Sequence, residues 1–196
     1  MSKTATSDSS KKDQLEKVDA HGRTQLMSYI LQRDLAHAKA IVASDVPLGV
    51  RDFDGNNALA LAASVGFVDM MKILIDKKAA LDNKNNDGLT PLMVSVRTSH
   101  ANAAKLLLDK GAQIDLRDKQ GNTALSLAAL DGDVDMLKQL IAAKASMSIK
   151  NNEGRTPLML AACNGDSGVV QALVKAGASL NVLDSKGYTA IAIATE

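Results

Sequence analysis

The stretch Asp118–Ala129, DKQGNTALSLAA, decides the fold. Gly121 supplies a turn position hostile to side chains. Two residues later Thr123 can accept the free N–H groups of a helix start. A short apolar helix follows over Ala124–Leu130, ALSLAAL. Working outward, the same phrase returns at a constant spacing of 33 residues, with glycine at Gly22, Gly55, Gly88, Gly121, Gly154 and Gly187. The cap position is held by Thr24, Asn57, Thr90, Thr123, Thr156 and Thr189, and Pro91 and Pro157 follow it where a missing N–H costs nothing. Gly66, Gly132 and Gly165 end the first helix in three units. Acidic or amide residues (Asp34, Asp69, Asn102, Asp133, Asp166) then open a second helix, and Lys77, Lys110, Lys144 and Lys175 close it, the polarity a helix dipole favours. A turn and two helices repeated at this period predict an all-α solenoid, in which stacked neighbours bury what one unit cannot.

The register gives five full units, 19–51, 52–84, 85–117, 118–150 and 151–183, and a partial sixth from 184 to 196. One repeat domain is therefore expected over 13–196, after a polar, disordered lead over 1–12. A longer period runs inside the first. Units three and five share K-N-N-[DE]-G-x-T-P-L-M at Lys84–Met93 and Lys150–Met159; units two and four share R-D-x-x-G-N-x-A-L-x-L-A-A at Arg51–Ala63 and Arg117–Ala129. This reads as duplication of a two-unit block. The last unit offers one short helix and no second, so Ile191 and Ile193 are expected to lack half their cover.

Composition narrows the function classes. With 23 Lys+Arg against 22 Asp+Glu, no whole-molecule field points to nucleic acid or a membrane surface. Aromatics are limited to Tyr29, Phe53, Phe67 and Tyr188, so Ala, Leu, Ile, Val and Met must fill the core. No apolar run reaches the roughly 18–20 residues that span a bilayer. The start carries no signal peptide, yet a polar lead also remains after one has been removed, so periplasm and cytoplasm both stay open. The lone Cys163 excludes an internal disulfide framework and, with no histidine near it in the stack, is expected to be packing or an inert thiol. His21, His37 and His100 show no metal-ligand spacing, and no phosphate loop or nucleophile-elbow motif occurs. Neither an enzyme nor a cofactor is expected.

Asp118–Ala129, GLTPLM at Gly88–Met93, GRTPLM at Gly154–Met159 and GAQID at Gly111–Asp115 together resemble the ankyrin-repeat family over about residues 19–196. The chain departs from that family in place. Met27, Ala60, Met93, Ser126, Met159 and Ala192 stand where histidine is usual, and Lys78 and Lys144 where glycine usually follows the second helix. The resemblance implies a stack of helix-turn-helix units joined by β-hairpin-like turns. It also implies a binding surface made of hairpin tips and the exposed face of each first helix. On this sequence the tips are Phe53, Asp54 and Asn56; Asn86, Asp87 and Leu89; Lys119, Gln120 and Asn122; Asn152, Glu153 and Arg155. The helix-face positions include Arg97, Leu130 and Asp131.

Four cations, Arg51, Lys84, Arg117 and Lys150, end successive units and project in register, neighbours about 10 Å apart. One reading is a docking strip for an acidic partner, with Arg97 and Arg155 adding to it. The other is local pairing with Asp52, Asp54, Asp87, Asp118 and Glu153, of little net worth. Phe53, Leu89 and Leu130 are expected as exposed apolar anchors, since such anchors carry most binding energy. The expectation is a monomeric, non-enzymatic module that binds one protein partner. The favoured role is a stoichiometric inhibitor or self-protection (immunity-type) partner covering the active site of, for example, a secreted bacterial hydrolase or cell-wall peptidase. A scaffold or adaptor in a cytoplasmic complex is the alternative, and nucleic-acid binding through the cation ladder a weaker third, testable by its salt dependence.

Overall fold

The computed structural model describes residues 17–195. The expected polar lead over 1–12 and the apolar Leu15 lie outside the described residues. Unit one carries α1 (Gln25–Leu31) and α2 (Leu35–Ala43), unit two α3 (Ala58–Ser64) and α4 (Val68–Asp76), unit three α5 (Pro91–Arg97) and α6 (Ala101–Asp109). Unit four carries α7 (Ala124–Leu130) and α8 (Val134–Ala142), unit five α9 (Pro157–Cys163) and α10 (Ser167–Lys175), and the partial sixth α11 (Ala190–Ile193).

Each first helix starts where its cap residue stands. Thr24, Asn57, Thr90, Thr123, Thr156 and Thr189 each accept a hydrogen bond from the N–H three residues on, a contact worth about 1 kcal/mol. Pro91 and Pro157 open α5 and α9. The second helices follow the expected acidic opening in three units, where Asp34, Asp133 and Asp166 cap α2, α8 and α10. In units two and three the cap positions are Phe67 and His100, without a side-chain bond to the helix start. Asp69 and Asn102 sit two residues past the cap and lie within the first turn instead.

The first helices form the buried layer: in α3 every residue from Ala58 to Ala63 is buried, and in α7 every one from Ala124 to Ala129. The second helices bury one face each, through Met70, Met71 and Leu74, then Ala103, Ala104 and Leu107, then Met136, Leu137 and Leu140, then Val169 and Leu173. Burying a Leu or Met side chain is worth about 1.5–3 kcal/mol, and the core runs unbroken along the stack. Polar groups inside it are paired: Ser95 Oγ donates to the Leu92 carbonyl at 2.7 Å, and the Ser126 and Thr123 hydroxyls meet at 3.2 Å.

The hairpins are turns rather than strand pairs. Among the described residues the β pairing is a single bridge, Val18 to Thr24. Each tip is instead closed by its first residue. The Asp52 N–H donates to the Asn56 carbonyl and its carboxylate accepts the Asn56 N–H at 2.7 Å, while the Gly55 N–H returns to the Asp52 carbonyl. Asn85, Asp118, Asn151 and Asp184 repeat the device. Gly55 makes that return with φ +81.

Candidate docking face

The tips are joined in one row by backbone bonds from unit to unit. Phe53 N–H donates to His21 O, Asn86 to Asp54, Lys119 to Asp87, Asn152 to Gln120 and Ser185 to Glu153, at 2.9–3.1 Å. These backbone bonds recur at every tip, whatever side chains stand there. Phe53, Asp54, Asn86, Asp87, Lys119, Gln120, Asn152 and Glu153 are exposed, whereas Asn56 and Arg155 are half-buried and Asn122 is buried.

Of the three apolar anchors expected from sequence, only Phe53 is exposed, at 69%. Leu89 and Leu130 are half-buried and pack against the core. The reason is geometric: Leu89 precedes the buried Thr90 and Leu130 follows the buried Ala129, so both turn part of their surface onto the core. The Phe53 ring leans across the turn of unit one, close enough that a Cβ on Gly22 would lie 2.6 Å from its Cδ1.

The cation ladder has a third use that neither sequence reading named. Arg51 donates to the Lys84 carbonyl at 2.6 Å, Lys84 to the Arg117 carbonyl at 2.7 Å, and Lys150 to the Leu183 carbonyl at 2.9 Å. Arg117 donates to Gly121 O at 3.0 Å and to Asn152 Oδ1 at 3.2 Å. The four side chains staple one unit to the next, and among the described residues none is within ion-pair distance of a carboxylate. Leu183, half exposed, takes the cation's place in unit five. Arg155 is spent differently, 3.0 Å from Glu153 and 3.9 Å from the buried Asp184 carboxylate.

On the first-helix ends, Arg97 and Asp131 are both exposed. Although Asp131 reaches solvent, the adjoining helix ends withdraw water and push its carboxyl above the ordinary value, against the pull of Arg97 and with added repulsion from Asp133. Two further residues also work here, Arg33, which sequence reasoning left aside, and Asn164, a helix-face position. Arg33 donates to the Val65 carbonyl while its guanidinium lies 5.2 Å from the Phe67 ring centre, and Asn164 donates to the Leu130 carbonyl at 2.7 Å. Cys163 on the same face is exposed. In the last unit Ile191 is 61% exposed above an apolar groove of about 330 Å³ lined by Leu158, Val170 and Leu180, whereas Ile193 is half-buried and packs against the core.

The sequence profile of ankyrin repeats in three copies matches residues 26–118 and 125–196, and a many-copy ankyrin profile matches 102–141. The chain belongs to the ankyrin-repeat family, and its stack is a protein–protein interaction module. Among solved structures it is similar to the ankyrin repeat domain of Bcl-3, described as a unique member of the IkappaB protein family. The identity is 26% and the TM-score 0.85, with 91% of this chain and 81% of that one covered. No protein with a curated description matches the sequence.

Proposed function

We propose that the protein is a non-enzymatic binder that seats one protein partner on the hairpin row and the adjoining first-helix ends, with Phe53 as its apolar anchor. The observation that carries this is a large aromatic, 69% exposed, on a row whose backbone is bonded unit to unit. Such an anchor loses little freedom on binding, and its burial supplies energy that surface charges do not. Covering a partner's working surface makes the protein a stoichiometric inhibitor or self-protection partner, with a secreted hydrolase as one candidate target. The first experiment is affinity capture from lysate and periplasmic fractions of the source cell, read by mass spectrometry, with Phe53→Ala and Asp54→Lys/Asp87→Lys beside the wild type. A protein lost with both variants supports the face; activity of that protein, assayed with and without the binder, decides inhibition. A partner retained by both variants moves the site elsewhere. The ladder cations are unsuited to this test, because replacing them removes the staples to the next unit.

A further inference from the structure

The two-unit period in the sequence has a physical counterpart that ancestry alone does not require. Where unit two meets unit three, Asn85 Nδ2 donates to Asn56 Oδ1 at 3.0 Å and Asn86 Nδ2 to the Phe53 carbonyl at 2.7 Å. Where unit four meets unit five, Asn151 donates to Asn122 at 3.2 Å and Asn152 to the Lys119 carbonyl at 2.9 Å. At the junction between units three and four the corresponding residues are Leu89, Asp118 and Lys119; neither asparagine bond is made there, and the row keeps the backbone bond from Lys119 to Asp87 and the Lys84 bond to the Arg117 carbonyl.

The loop between first and second helix alternates in the same sense. Gly66 and Gly132 let the next unit come close: a Cβ on Gly66 would lie 2.7 Å from the His100 ring, and one on Gly132 2.6 Å from the Asp166 carboxylate. The equivalent residue of unit three is Ser99, a side-chain-bearing residue at φ +54. First helices also meet more extensively within a pair, α3 on α5 and α7 on α9, than across the junction, α5 on α7.

We infer that the array is two tightly joined pairs, units two–three and four–five, separated by a compliant seam between Asp87 and Lys119. Besides the two bonds in the row, the seam keeps Ser146 N–H to Asp115 at 3.0 Å and Gln139 Nε2 to the Ala101 carbonyl at 3.2 Å. Opening at the seam separates tips 85–89 and 118–122, changing the curvature of the row that carries Phe53.

The test is amide hydrogen exchange on the full chain, comparing protection at residues 86, 119 and 152, whose N–H groups make equivalent bonds between tips. A uniform linear array frays from its ends, so its central junction is the best protected. The seam reverses that order: residue 119 is expected to be about tenfold less protected than 86 and 152, the equivalent of one or two hydrogen bonds. Asn56→Leu, Asn85→Asp and Asn86→Lys together, which copies the seam's residues into the first pair, brings residue 86 down to the protection of 119. Leu89→Asn, Asp118→Asn and Lys119→Asn together, which copies the pair's residues into the seam, raises residue 119 to that of 152. Residue 119 as the most protected of the three in the wild type, or no change in either variant, overturns the inference.

Discussion

Gly55→Ala, measured beside Gly111→Ala, isolates how tightly neighbouring tips are pressed together. The two glycines have nearly the same backbone, φ +81 and φ +88. A side chain in that region costs about 1–2 kcal/mol, offset in part by about 0.4–1 kcal/mol from the stiffer unfolded chain. At Gly111 nothing lies within 4 Å of the new Cβ, and Lys78 and Lys144 already occupy the equivalent position. Its loss should be about 1 kcal/mol. At Gly55 the Cβ would meet Asn86 Oδ1 at 2.5 Å and Asn86 N at 2.7 Å. Asn86 cannot swing aside, because its side chain donates to the Phe53 carbonyl and its N–H to the Asp54 carbonyl. The tips must separate, which adds about 1–3 kcal/mol of overpacking and weakened bonding. Urea unfolding followed by far-UV circular dichroism gives both values from the midpoint and slope. Gly55→Ala should lose at least about 1 kcal/mol more than Gly111→Ala. Equal losses would refute the claim that the tips are in contact through their backbone.

The opposite substitution should stabilise: Lys78→Gly and Lys144→Gly each relieve a side chain at φ +65, with a gain of about 0.5–1 kcal/mol in the same assay. Leu107→Ala, at a fully buried position of α6, should cost about 2–5 kcal/mol of unfolding free energy. The N–H groups of Tyr188 and Lys186 hold the Asp184 carboxyl below its ordinary value of 3.8, with Arg155 adding attraction. The ionised form is thus favoured by the fold; its contribution is whole above that value and fades as pH falls through the lower folded one. The Tyr188 amide, followed by NMR on acidification, should lose its bonded shift below pH 3.8, and Asp184→Asn should abolish the change, since Asn85 and Asn151 close the same turn without titrating.

The helices were legible because each boundary rests on local chemistry. The cap residue Thr123 and the apolar run predict Ala124–Leu130, and the helix spans those residues. The second-helix caps of units two and three were not, since aspartate or asparagine near a helix start does not reveal which residue has the cap's dihedral angles. Phe53 was visible as an odd residue in an aromatic-poor chain. Leu89 stood at a variable tip position and Leu130 on a variable helix face, but how far each turns onto the core is a matter of packing that no local pattern encodes. The ladder was seen as charge and missed as staples because a donor reaching a carbonyl 33 residues away depends on the rise between units. The alternation at the tips was plain in the sequence as Asn-Asn against Asp-Lys. Only the three-dimensional pairing of Asn85 with Asn56 and Asn151 with Asn122 turns it into a difference in cohesion.

The most direct test of docking on the hairpin row is photocrosslinking from single positions in the source-cell extract. A photoreactive amino acid placed at Phe53 or Asp87 probes the row, and one at Lys72 or Lys105 probes the exposed side of the second helices. The account predicts one protein crosslinked from 53 and 87 and none from 72 or 105. Crosslinks arising only from 72 or 105, with 53 and 87 silent, would contradict it.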